Sequence, residues 1–211
     1  MEKAEEYEQE IKKMDSYALF NLWKEHAETE FDESFWKKGK VLEYVVLRAF
    51  EIEIDNLEKK KQEHKGSVTY PYNVFAPKDS AFVKPIEQID GAVHVDELYA
   101  LVECKDYSGV KINIEPLAKM RNQLARRHGS VFGMFFSATD YTVPAEILVS
   151  YMAPQLIVLW TKMDIDFCLK NSCFIPCMKE KYKRAVENCE YNYAFYLEHT
   201  EFEKLPSEPL F

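Results

Sequence analysis

The sequence predicts an α/β sandwich in which a mixed sheet is covered by helices on both faces. Three observations lead to that class. Residues 91–104 are two β-prone runs around the polar break Asp96-Glu97, the pattern of an antiparallel hairpin. Residues 131–137 form a near-continuous apolar run, as expected for a strand buried on both faces. Helical patterns alternate with these, so the predicted order is helix, three strands, helix, strand, helix, strand.

In chain order, residues 2–29 read as one or two charged amphipathic helices with Tyr17, Leu19, Phe20, Leu22 and Trp23 on the apolar face. Phe31-Asp32-Glu33-Ser34 reads as a break, with Ser34 as an N-cap. A helix is expected over 35–61, with Leu42, Val45, Val46, Ala49 and Phe50 as its buried stripe and Glu43 beside it. Gly66 ends that segment. Residues 67–75 are rich in β-branched and aromatic side chains and predict the first strand, at an edge or bulged because of Pro71. Residues 76–86, with Pro77 and Pro85, are expected to be a loop bordering the hairpin.

Beyond the hairpin, Asn113 predicts the cap of a helix over 114–128, with Pro116 in its first turn and Gly129 as its stop. Leu117, Met120 and Leu124 would pack inward, while Lys119, Gln123 and Arg126 share a neighbouring face. A short helix over 145–152, a last core strand over 156–160 and a short helix over 163–170 follow. Residues 178–197 read as a longer helix heavy in Tyr182, Tyr191, Tyr193, Phe195 and Tyr196. Those rings suit base stacking, a dimer contact or, more commonly, packing against the sandwich. The expected organisation is an acidic helical extension over 1–34, the sandwich over 35–170 and an aromatic-rich helical extension over 171–211.

At 211 residues, with 47% hydrophobic and 14% aromatic content, the chain can bury a full core, and disorder and repeat arrays are excluded. The start, Met-Glu-Lys-Ala-Glu-Glu, lacks the basic and apolar regions of a signal peptide. The most apolar stretch, 131–160, is interrupted by Asp140, Pro144, Glu146 and Pro154, so no membrane partner and a cytoplasmic location are expected. Five cysteines without a Cys-x-x-Cys pair predict neither a disulfide framework nor zinc, but buried reduced thiols. The net charge of −9 is unusual for a nucleic-acid partner, yet it is uneven. Residues 1–34 carry a net −7 and residues 190–211 a net −4, leaving the body between them at about +2. Within that body Lys105, Lys111, Lys119, Arg121, Arg126 and Arg127 face only Asp106 and Glu115 over residues 105–130, a stripe able to grip phosphates.

The hairpin concentrates the chemistry. Pairing across Asp96-Glu97 sets His94 opposite Tyr99, Ala92 opposite Leu101 and Asp90 opposite Glu103. Opposed residues share a face. Lys105 joins it by strand alternation, while Val102 and Cys104 turn into the core. Opposed carboxylates destabilise a sheet unless something uses them, and a divalent ion such as Mg²⁺ is the usual user. An adjacent lysine can orient or deprotonate a water and offset charge developing on a phosphate. A solvated hairpin face with one Glu–Lys pair would also account for these residues.

Ile89-Asp90 followed by Val102-Glu103-Cys104-Lys105 resembles the PD-(D/E)xK nuclease motif, and more closely the Mrr-like restriction endonuclease catalytic domain. Gly39-Lys40-Val41-Leu42-Glu43 resembles that family's first core helix, in which a Glu faces the site. Lys119-Met120-Arg121-Asn122-Gln123 lies where the family carries a Gln-bearing helix, and residues 133–146 resemble its next strand, turn and helix. Ile89 departs from the family's Pro, and Lys119 stands where a second Gln is common. The resemblance spans about residues 36–169. It implies a restriction-endonuclease-like α/β/α sandwich over 35–170 with N- and C-terminal helical additions.

It further implies a metal-dependent endonuclease hydrolysing phosphodiester bonds in DNA, in restriction or defence against foreign DNA. Asp90, Glu103 and the Cys104 carbonyl would hold Mg²⁺ or Mn²⁺. Lys105 would serve the attacking water, with Glu43 and Gln123 in support, and Lys119, Arg121, Arg126 and Arg127 would contact nucleic acid. Two alternatives are a non-catalytic interaction module on a nuclease-like fold, against which the intact Asp, Glu and Lys argue, and a nuclease for branched DNA or RNA. With no separate recognition segment in view, sequence preference would come from loops, a partner or a homodimer.

Overall fold

The computed structural model describes residues 2–28, 35–37, 39–59, 65–76, 84–107 and 109–199. Its elements in order are α1 (Glu2–Ile11), α2 (Ser16–Glu28), α3 (Lys40–Lys59), β1 (Gly66–Thr69), β2 (Tyr72–Phe75), β3 (Pro85–Ile89), β4 (Gly91–Val95), β5 (Leu98–Lys105), α4 (Ile114–Ala125), β6 (Val131–Ser137), α5 (Val143–Ser150), β7 (Ile157–Trp160), α6 (Lys162–Asn171), α7 (Phe174–Asn188) and α8 (Phe195–Glu198). The chain is thus mixed α/β, with eight helices among the described residues around a five-stranded mixed sheet ordered β1-β4-β5-β6-β7.

The predicted hairpin forms in the expected register, with His94 opposite Tyr99, Ala92 opposite Leu101 and Val95 closing the ladder against Leu98. Asp96 turns the chain with a positive φ of 53°. β1 pairs antiparallel with β4, whereas β5, β6 and β7 are parallel, connected through α4 and α5. Alternation divides the sheet's side chains between two layers. Val93, Val102, Cys104, Met134, Phe136 and Trp160 join a cluster with α1, α2, α3, α6 and α7. Ala92, Leu101, Phe135, Ile157 and Leu159 join another with α4 and α5. Each fully buried Leu or Phe, such as Leu42, Leu47 and Phe50, stabilises the fold by about 1.5–3 kcal/mol.

Two glycines set the helices close to this sheet. A Cβ on Gly91 would lie 2.5 Å from Leu47 of α3, and one on Gly133 would lie 2.7 Å from Met120 of α4. One glycine faces each layer, so both flanking helices seat against bare backbone.

Several expectations are corrected. The third helix starts at Lys40 rather than residue 35, because Gly39 has a φ of +85° and Trp36 stacks on Tyr7 at 4.9 Å. Tyr17 is 75% exposed and off the apolar face, which Leu19 and Trp23 form with Tyr7 and Ile11. The single strand over 67–75 is two strands in different sheets. Its break falls at Tyr70-Pro71, where the missing proline N–H ends the ladder. The expected loop instead contains strand β3 from Pro85, which pairs with β2. The helix over 114–128 ends at Ala125, and that over 145–152 runs Val143–Ser150. The break at Phe31–Ser34, with its cap, and Pro77 lie outside the described residues.

The described helices of the terminal segments belong to the same core as the body. The long helix expected over 178–197 is α7, which begins at Phe174 and stops where Cys189 turns left-handed, followed by irregular chain and α8. The fully buried Lys181 ammonium donates to the carbonyls of Leu159 (2.9 Å) and Tyr193 and pairs with Asp164 at 3.1 Å. Leu159 N in turn donates to the Tyr191 carbonyl at 2.8 Å. These bonds lay residues 190–194 along β7 instead of continuing the helix. Tyr182 packs on Phe132 and Phe195 on Phe167, at 5.0 and 6.0 Å.

The start of α7 is capped from a distance. Glu53 of α3 accepts from the backbone N–H groups of Phe174 (2.7 Å) and Ile175 (2.9 Å). Burial outweighs these bonds and pushes its carboxyl up to about 7. The folded state therefore holds a proton there that the unfolded chain releases near 4.5. That contribution is fully present below 4.5 and is lost as pH rises through about 7, amounting to at most about 3 kcal/mol. Glu53→Gln is expected to flatten the decline in urea midpoint between about pH 5 and pH 8. An unchanged slope in that variant would show that Glu53 titrates normally.

Candidate active site

Asp90 occupies the bend between β3 and β4, and Glu103 and Lys105 end β5. β4 runs antiparallel to β5, so the start of one meets the end of the other, at the carboxyl end of the parallel strands. The ladder stops at Gly91 opposite Val102, and Asp90 is fastened across the gap by the Cys104 N–H, 3.0 Å from its Oδ2. The Lys105 ammonium lies 2.7 Å from Glu103 Oε1, 3.1 Å from the Cys104 carbonyl oxygen and 3.8 Å from Asp90 Oδ2. The three residues expected to share one spot are therefore together.

Glu43 comes to the same place from the first turn of α3, held by Lys40 through both carboxylate oxygens at 2.9 and 2.6 Å. Burial, and then the charge of Asp90, push the Glu43 carboxyl up to about 7 despite Lys40. Asp90 is raised as well, by burial and then by Glu103, against Lys105 and the Cys104 N–H. Burial alone would lower Lys105, but Glu103 and Asp90 outweigh it and hold the ammonium above the usual lysine range. Cys104 itself points into the core beneath the site, where burial and the nearby carboxylates drive its thiol strongly upward. All five cysteines are free thiols, Cys189 alone exposed.

Of the remaining expected residues, Lys119 enters the cluster, 3.0 Å from Glu103 Oε1. Gln123 is buried and donates through Nε2 to the Gln88 carbonyl at 3.2 Å, tying α4 to the strand that leads into Asp90. Arg121 is exposed on α4. Arg126 and Arg127 both pair with Glu87 of β3, at 2.7 and 2.9 Å.

Two partners of this region were not singled out in the sequence. Lys40, one helical turn before Glu43, was legible as an i,i+3 pair. The His26–Asp106 pair, at 2.6 Å between α2 and the residue after Lys105, joins positions 80 apart and left no local signal. A concavity of about 590 Å³ bounded by Arg184, Tyr191 and Tyr193 lies away from the carboxylates. Its arginine pairs with Glu180 and Glu198, at 2.9 Å each.

The donors suit a hard divalent cation: two carboxylates and a backbone carbonyl, all oxygen. Glu103 is 1% exposed, and its Oε2 has no hydrogen-bond partner among the described residues, a costly arrangement that a cation would relieve. Among those residues no group of three or more His, Cys, Asp or Glu side chains is disposed around a common metal position, so an ion here would need the carbonyl and waters or substrate as further ligands.

The electrostatic coupling is testable. Replacing Asp90 by Asn removes the like charge that raises Glu43, and the Glu43 carboxyl is expected to titrate at lower pH than in the wild type, followed by ¹³C NMR. An unmoved titration would show the two carboxylates to be independent.

No protein-family profile matches the chain, and no curated protein matches it. Among solved structures it is similar to that of AF1548, a protein of unknown function, at a TM-score of 0.35 and 12% identity. The likeness covers 53% of this chain and 58% of that one. Among the described residues no helix is long and apolar enough to cross a membrane.

Proposed function

We propose that the chain is a Mg²⁺- or Mn²⁺-dependent endonuclease of the PD-(D/E)xK type that hydrolyses phosphodiester bonds in DNA, on a restriction-endonuclease-like sandwich suited to restriction of foreign DNA. The observation that carries this reading is the Lys105 ammonium within 4 Å of both the Asp90 and the Glu103 carboxylates at the end of β5. The sequence of elements supports it as well: a Glu-bearing helix, the hairpin, a Gln-bearing helix, then two parallel strands.

Asp90, Glu103 and the Cys104 carbonyl would hold the ion, with the unpartnered Glu103 Oε2 as the readiest ligand. When bound, the ion lowers the pKa of a water and offsets charge on the phosphate. Lys105 orients the attacking water and stabilises charge on the phosphate oxygens as it grows. Glu43, clamped by Lys40, and Gln123, anchored on Gln88, keep the carboxylates in place. Lys119 and Arg121 on α4 meet the phosphodiester backbone. The acidic termini repel it, which orients the approach.

Cleavage and gel-shift assays on the same DNA test this. Lys105→Ala is expected to cut about a hundredfold more slowly or worse, while weakening DNA binding only slightly, as one phosphate contact among many. Asp90→Ala should lose metal binding and cutting together. Arg121→Gln should lower affinity and reduce the salt slope by about one. Arg126→Gln should lower affinity less than Arg121→Gln, because Arg126 shares the Glu87 carboxylate with Arg127. Normal cutting by Lys105→Ala, or DNA binding without cutting under any divalent ion, would replace the enzyme reading with a non-catalytic module. Cutting of RNA or branched DNA alone would redirect the substrate.

A further inference from the structure

The Lys105 ammonium has a placement that neither other lysine of the cluster shares. It is within 4 Å of Asp90 Oδ2, Glu103 Oε1 and the Cys104 carbonyl oxygen together, the three groups that would ligate a divalent ion. Lys119 reaches only Glu103, and Lys40 only Glu43. The Lys105 side chain is 20% exposed against 55% for Lys119, so it is held within the ligand set rather than over it.

Building on the metal site of the proposed function, we propose that Lys105 is an intramolecular cation that competes with the divalent ion for these three oxygen groups and must swing out when the ion binds. One positive charge then occupies the ligands before the metal does, so an entering ion must bring more charge than the ammonium it displaces. Small divalent ions meet that requirement, and Na⁺ or K⁺ do not. The displaced ammonium remains tethered to the end of β5, next to the ion, where a phosphate oxygen would lie. Metal entry and presentation of the lysine to substrate are thereby a single event. On this view Lys105 weakens metal binding while serving the chemistry, two roles that pull in opposite directions.

The test uses Mn²⁺ alone. Binding is measured by electron paramagnetic resonance of free Mn²⁺ for the wild type, Lys105→Met and Lys119→Met. On wild-type protein, which makes the test independent of how the variants fold, acetylation of Lys105 is followed by mass spectrometry with and without Mn²⁺. Competition predicts that Lys105→Met binds Mn²⁺ about tenfold more tightly or better. Lys119→Met, which releases Glu103 Oε1 alone, should tighten binding less than Lys105→Met, and Mn²⁺ should increase acetylation of Lys105. Equal tightening in both variants would reduce the effect to general electrostatics and overturn the proposal. So would acetylation of Lys105 that does not respond to Mn²⁺ in a protein that binds it; in both cases the nuclease reading stands. Failure of both the wild type and Lys105→Met to bind Mn²⁺ would overturn this proposal and the metal-dependent reading together.

Discussion

Two buried carboxylates brought together where the bend before β4 meets the end of β5 can persist only if positive charge faces them. Asp90 and Glu103 are 7% and 1% exposed, and leaving such charges uncompensated costs several kcal/mol. Lys105 supplies the main compensation, Lys119 adds to it from α4, and the Cys104 N–H binds the Asp90 carboxylate. Glu43 adds a third buried carboxylate and brings Lys40 with it. The cluster is a balanced group of three acids and three ammoniums. Neutralised in this way, it can be buried in a stable fold and still offer oxygen ligands to a stronger cation.

That concentration of charge requires the flanking helices to come close to the sheet. α3 delivers Glu43 because Gly91 gives Leu47 room against β4, and α4 delivers Lys119 and Gln123 because Gly133 does the same for Met120. Each glycine lies on the face its helix covers, one next to Asp90 and the other on the strand paired with β5. Backbone proximity, apolar burial and site geometry are therefore one constraint, and a larger residue at either position would move acidic and basic groups apart together.

The distribution of charge follows the same division. The acidic surplus belongs to residues 1–34 and 190–211, while the described helices of those segments supply apolar residues such as Leu19, Trp23 and Phe195 to the shared core. The terminal segments are thus structural as much as electrostatic. Much of the remaining basic character is spent internally: Arg126 and Arg127 on Glu87, Lys181 on Asp164, Lys40 on Glu43. A count of basic residues overstates what a phosphate backbone would meet: on α4 Arg121 is exposed, while Lys119 shares its charge with Glu103.

By itself the sequence determined the hairpin, its register and the trio on its end, because these depend on two-residue alternation across a two-residue turn, a rule that operates within sixteen residues (Asp90 to Lys105). The Asn113-capped start of α4 and the apolar strand β6 were legible for the same reason, since caps and alternation are local. Tertiary structure decided the rest. β3 became a strand because β2 was there to pair with it, and it then carried Glu87 to the two arginines. The chain after Asn188 left the helix because buried Lys181 and the Leu159 N–H offered its backbone stronger partners than another helical turn. His26 met Asp106, and Glu53 capped α7, across 80 and 121 positions. No local pattern encodes such meetings: they depend on which surfaces come to face each other once the core has closed, and there burial makes each hydrogen bond or charge pair decisive.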